Sequence, residues 1–84
     1  MKVEVLFFAS LREAVGRSSE ICELEPGVST VGDLRTQLAT RGDQWQALGP
    51  GRSVRAAVNQ QMVGPGQVLA EGDEVAFFPP VTGG

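Results

Sequence analysis

Few residues in this 84-residue chain have side chains that could do chemistry. There is one cysteine, Cys22, and no histidine, so an internal disulfide, a nitrogen- and sulfur-ligated metal site and a Ser-His-Asp relay are all ruled out by composition. A thiol at Cys22 could carry sulfur as a persulfide, but a lone cysteine inside an apolar stretch is more often a small core residue, and that is the reading adopted here. Asp33, Asp43 and Asp73 sit where helices start or chains turn, so they read as cap and turn residues, not as a carboxylate dyad.

What remains is the ending Phe77-Phe78-Pro79-Pro80-Val81-Thr82-Gly83-Gly84. Pro79 and Pro80 fix φ and lack ladder donors, so they end a strand and favour an extended exit. From Pro80 the chain can reach roughly 13 Å. Gly83 and Gly84 carry no side chains, so a terminal carboxylate there could be threaded down a narrow channel. Such a tail suits presentation of Gly84 to another protein's active site.

A tail of this kind needs a base, and the preceding sequence predicts one. Lys2 to Phe8 alternates, with Val3, Val5 and Phe7 on one face and Leu6 and Phe8 on the other. Ser10 and Glu13 fit a capping box, with Gly16 as the stop of a short helix. A second strand is expected over Ser19 to Leu24, closed by a turn at Glu25-Pro26-Gly27. Thr30 should cap the main amphipathic helix, in which Val31, Leu34 and Leu38 share a face and Gly42 marks the end. Asp43 to Leu48 suggests one more helical turn anchored by Trp45. Val54 to Val58, a turn at Asn59-Gln60-Gln61, a short return at Met62-Val63 and a last strand at Glu74 to Phe78 complete the chain. First and last strands flanking a long helix invite central, parallel pairing in one sheet covered on one face. Residues 1–78 then form the domain and residues 79–84 the tail.

Formal net charge is −3, and the seven cations are scattered: Lys2, Arg12, Arg17, Arg35, Arg41, Arg52 and Arg55. That pattern argues against nucleic acid or an anionic membrane as partner. Met1-Lys2 leads directly into a strand without signal-peptide anatomy, and no apolar run approaches the roughly 18 residues of a membrane span. A cytoplasmic protein is expected.

The closing run GDEVAFFPPVTGG, Gly72 to Gly84, with the opening LFFASLRE and the central AAVNQQ, resembles the small subunit of molybdopterin synthase along nearly the whole chain. The resemblance implies an α+β, ubiquitin-like β-grasp: a mixed sheet of about five strands on one long helix with one or two short ones. It also implies a sulfur-carrier cycle without a permanently bound cofactor. An ATP-dependent adenylating enzyme activates Gly84, and a sulfur donor such as a cysteine desulfurase or rhodanese converts it to a thiocarboxylate. A large synthase subunit then uses the sulfur for the dithiolene of molybdopterin, in a heterotetramer whose catalytic groups lie on the large subunit. The carried reagent is Gly84, preceded by Gly83. Contacts to partners are expected from Phe8, Met62, Phe78, Pro79, Pro80, Val81 and Thr82, with Arg12 as a rim residue. Related carriers for thiamine or tRNA thiolation, a protein modifier and a non-covalent β-grasp module are the competing readings.

Overall fold

Alternation in the first seven residues dictates the start of the sheet. In the computed structural model, which describes residues 1–80, β1 spans Lys2–Phe7 and buries Val3, Val5 and Phe7 almost completely. The β2 strand, Ser19–Glu23, runs antiparallel to it, from Lys2 opposite Glu23 to Leu6 opposite Ser19. The last strand, β5 at Glu74–Phe78, pairs parallel with β1, placing Val5 beside Val75 and Phe7 beside Phe77. Between them in sequence come β3, Arg55–Val58, and β4, Gln61–Val63. Strand order across the sheet is β2-β1-β5-β3-β4, so the expected central parallel pair is present.

The helix α1, Ala9–Val15, does not use the predicted Ser10–Glu13 box. Its N-cap is Phe8, without a side-chain cap, and Leu11 N and Arg12 N donate to the Phe8 carbonyl at 3.1 and 3.4 Å. The strand decides this, because Phe8 N is held by the Phe77 carbonyl at 3.1 Å and the chain must reverse at once, with Ala9 at φ 54. Gly16 closes the helix at φ 77 as expected. At the following turn, Val28 N donates to Glu25 O at 3.0 Å, with Gly27 at φ 87.

The main helix, α2, covers Val31–Ala39 and begins with a complete capping box: Asp33 N donates to Thr30 Oγ1 at 3.1 Å, and Thr30 N to Asp33 Oδ2 at 3.3 Å. Two more first-turn amides, Val31 N and Gly32 N, donate to the carbonyls of Gln67 and Pro65 at 3.0 and 2.9 Å. The four amides that precede the first helical bond, Thr30, Val31, Gly32 and Asp33 N, therefore all have partners, and Leu34 N begins the helical ladder by donating to Thr30 O at 2.9 Å. The helix ends at Ala39 with Thr40 as cap, earlier than Gly42, which instead precedes a 3₁₀ helix over Asp43–Leu48. Burying Trp45 and Leu48 requires the chain to change direction there.

Leu34 and Leu38 of α2 pack on Val3, Val5, Phe7, Val75 and Phe77 in one core. Each such side chain contributes roughly 1.5–3 kcal/mol by leaving water. Trp45 closes one end, edge-on to Phe7 with centroids 5.6 Å apart. All the helices are thus on one side, and the sheet's other side is left open.

Candidate docking face and tail root

Register fixes what the open side displays. Ala57 stands opposite Ala76 and Met62, and Ala76 stands beside Leu6. Because Val5, Phe7, Val75 and Phe77 point into the core, their neighbours Leu6, Ala76 and Phe78 must point out. The result is an apolar row across four strands: Leu6, Ala76, Ala57, Met62. One register step towards the end of β5 lies Phe78, opposite Arg55, with Phe8 at the adjoining end of β1.

The predicted contact residues Phe8, Met62 and Phe78 are brought together on this one face. Phe8 is 47 % exposed and Met62 59 %, and Phe78 is half-buried. Phe8 is the cap of α1, not a strand residue, and Met62 is the middle of β4, which takes in Gln61 from the expected turn. Asn59 and Gln60 make that turn with φ of 51° and 69°, the left-handed pair that a two-residue hairpin demands. Pro79 and Pro80 follow Phe78 outside any strand and are half-buried. Arg12 is exposed on α1. Val81, Thr82, Gly83 and Gly84 lie outside the described residues.

Cys22 faces the core at 2 % exposure. Gln37 Nε2 approaches its sulfur at 3.6 Å and Arg41 Nη2 at 3.8 Å, and burial pushes the thiol pKa up. A protonated, covered sulfur is a poor nucleophile, which supports the core reading. A groove of about 420 Å³ lies on the helix side of the molecule along α2, between Thr36, Ala39, Leu48 and Pro65. Its cation, Arg35, is engaged with the carbonyls of Leu48, Gly49 and Arg52 at 2.7, 2.8 and 2.7 Å, so it organises a loop.

Sequence reasoning missed two features. Arg55 joins the face because it stands opposite Phe78, and only the register reveals that. Glu20 links Arg17 at 3.0 Å and Arg41 at 2.7 Å, and both guanidinium groups lie over Trp45, at 5.4 and 4.6 Å from the ring centroid. Spacing of three hints at Arg17–Glu20; nothing local hints at Arg41. Among the described residues no helix is long and apolar enough to cross a membrane.

A mixed five-stranded sheet with a central parallel pair, one main helix on one side and an open apolar face at the root of the last strand defines a ubiquitin-like β-grasp domain. Comparison with known proteins narrows the class. The chain belongs to the ThiS family, whose model matches residues 5–84. It is 45 % identical to the molybdopterin synthase sulfur carrier subunit of Escherichia coli over 82 residues, covering 98 % of this chain and 99 % of that one. Among solved structures it resembles the putative molybdopterin converting factor subunit 1 of Pyrococcus furiosus, at TM-score 0.79 and 31 % identity over 96 % of this chain and 99 % of that one. It also resembles small archaeal modifier protein 1 of Haloferax volcanii, at TM-score 0.75 and 29 % identity over 95 and 98 % of the two chains.

Proposed function

We propose that this chain is the sulfur-carrier subunit of a molybdopterin synthase, acting in the cytoplasm through Gly84. The observation that carries the reading is the full-length likeness to the E. coli sulfur carrier subunit, on a fold whose last strand ends at Phe78 beside an open apolar face. Pro79 and Pro80 follow Phe78 there, outside any strand, and lead the chain towards Gly84.

The chemistry follows from the weakness of a free carboxylate as an acyl donor. An adenylating enzyme joins a Gly84 oxygen to the α-phosphorus of ATP and releases pyrophosphate. The outer sulfur of a donor protein's cysteine persulfide then attacks the acyl carbon, and AMP leaves with that oxygen; a second thiol attacks the donor cysteine's sulfur in the resulting acyl disulfide, forming a disulfide with it and releasing the thiocarboxylate. The thiocarboxylate formed is anionic and nucleophilic at neutral pH, and the large synthase subunit takes its sulfur into the dithiolene. Cationic and oxyanion-stabilising groups for these steps belong to the partners, because the tail root offers apolar side chains and the single cation Arg55, with no acid–base pair beside them among the described residues. Phe8, Met62 and Phe78, with Pro79, Pro80, Val81 and Thr82 beyond them and Arg12 at the rim, make the contacts that seat Gly83 and Gly84 in each partner.

A second reading is favoured by the likeness to the Haloferax modifier protein: the activated Gly84 is passed to lysines of other proteins. Intact mass separates the two. After incubation with ATP, a sulfide source and the adenylating enzyme, the chain should gain the mass difference of sulfur for oxygen. It should then lose it on mixing with the large subunit and a cyclic pyranopterin phosphate, and removal of Gly84 should abolish both changes while the circular-dichroism spectrum stays the same. Persistence of molybdopterin formation with the truncated chain overturns the carrier reading, and isopeptide products on target lysines favour the modifier.

A further inference from the structure

The open face carries separated charges along its strands, Arg55 at the tail-root end and Glu4 with Glu74 beyond the apolar row, followed by Lys2 opposite Glu23. At the tail root Arg55 stands opposite Phe78. The next row is apolar, and the row after it carries Glu4 beside Glu74 on neighbouring parallel strands. Like charges on adjacent strand positions are destabilising. Among the described residues none of Arg55, Glu4 and Glu74 forms an ion pair, whereas Arg41 and Arg17 are both matched to Glu20. A sheet serving only the fold gains nothing from this arrangement.

We infer that Arg55 and the Glu4–Glu74 pair orient the docking of the partner that receives the tail. That partner is a folded protein whose surface sets carboxylates at the mouth of its tail channel, against Arg55, and cations on the far side of an apolar patch, against Glu4 and Glu74. The proposal rests on the carrier reading, since it concerns the same face, but adds the partner's charge pattern. Four residues along β5 separate Glu74 from Phe78, roughly 13 Å of strand. That exceeds the screening length of about 8 Å at physiological salt. An approaching surface therefore feels two separate charges rather than their sum. Polarity of this kind sets encounter rate and register more than final affinity, and register matters here because a tail entering its channel must start from the correct end of the face.

The test separates polarity from net charge. Arg55→Glu lowers the net charge by two and Glu4→Arg raises it by two, so the double variant Arg55→Glu/Glu4→Arg keeps the wild-type value of −3. Association with the molybdopterin synthase large subunit from the same organism is followed by stopped flow at low and high salt. The double variant should associate about tenfold or more slowly than wild type at low salt. The gap should close towards molar salt, and dissociation should change less. Association as fast as wild type, or a salt-independent loss, overturns the proposal. The milder Arg55→Gln/Glu4→Gln serves if the reversed chain does not fold, with a smaller loss in the same sense expected. If wild type fails to bind the large subunit at all, the carrier reading has failed instead. A wild-type dimer in sedimentation that these changes dissociate would assign the face to a second copy of the chain and overturn the proposal as well.

Discussion

Arg41 grips both carboxylate oxygens of Glu20, at 2.7 and 2.8 Å, although 21 residues separate them in sequence. The pair ties the end of α2 to the edge strand β2 and lays the guanidinium plane over Trp45. Hydrogen bonding from Arg41 is the main reason that the Glu20 pKa is lowered in the fold, with Arg17 adding to it.

Because the folded pKa of Glu20 lies below its unfolded value, the pair stabilises the protein above the unfolded carboxylate range. That stability is lost as pH falls through the folded value. Glu20→Gln should therefore cost about 1–2 kcal/mol at pH 7, lowering the melting temperature by roughly 4–16 °C for a domain of this size. Thermal melts at stepwise lower pH should show wild type and variant converging below the ordinary carboxylate pKa of about 4.5. A gap that stays constant through the acid range would show that packing on Trp45, not the charge, stabilises this corner.

Phe8 and Phe78 should behave as surface anchors. Truncation of either to alanine is expected to cost about 2 kcal/mol in partner affinity, about thirtyfold, and Phe78→Glu more. In the proposed cycle one tail visits both an adenylating enzyme and the large subunit, so both affinities should fall and each partner should compete with the other. Phe78 is half-buried, so its melting point should drop modestly, and Phe8→Glu, at a residue 47 % exposed, less. Isothermal titration with each partner checks this; undiminished binding would place docking elsewhere.

Cys22→Ser should remain competent in sulfur transfer, because the proposed carrier of the sulfur is Gly84. A hydroxyl in that buried position should cost about 1–3 kcal/mol of stability. In the native wild type the thiol should react slowly with a disulfide reagent and rapidly after denaturation. Loss of transfer in a folded Cys22→Ser protein would move the chemistry to the thiol.

Gln60→Gly offers the opposite sign. Gln60 holds φ 69 in the β3–β4 turn, a left-handed position that costs a side-chain-bearing residue about 1–2 kcal/mol and glycine little. Against that stands the backbone freedom that glycine loses on folding, about 0.5–1 kcal/mol. A net gain of about 0.5 kcal/mol is expected in denaturant melts, with docking unchanged. Asn59 is the wrong place for the same change, because its side chain bonds Asp73 Oδ1 at 3.0 Å and Glu74 N at 3.1 Å.

Much of the fold was legible from local pattern. Alternation in Lys2 to Phe7 and Glu74 to Phe78 gave both central strands and the faces of their side chains, since a period of two leaves no choice once one face is apolar. Thr30 with Asp33 marked the start of α2, and Gly16 the end of α1, because caps satisfy orphan backbone groups within a few residues. Ser10 misled for a related reason: its cap competed with a ladder bond from Phe8 N to Phe77 O across 69 residues, and the ladder prevailed. Likewise Gly42 is not the stop of α2, because burial of Trp45 redirects the chain earlier.

The sequence by itself determined that Pro79-Pro80-Val81-Thr82 is followed by the diglycine Gly83-Gly84, with one cysteine and no histidine in the chain. Those facts are what direct the proposed chemistry to Gly84. Only the tertiary structure decided which surface accompanies that carboxylate. Leu6, Ala76, Ala57 and Met62 are far apart along the chain, and parallel pairing of β1 with β5 and antiparallel pairing of β3 with both neighbours aligns them in a single row. The same pairing sets Arg55 at the tail root and joins Glu4 to Glu74. Composition and periodicity state which way a side chain points, but the register between distant strands sets its neighbours, and register depends on the packing of the whole core.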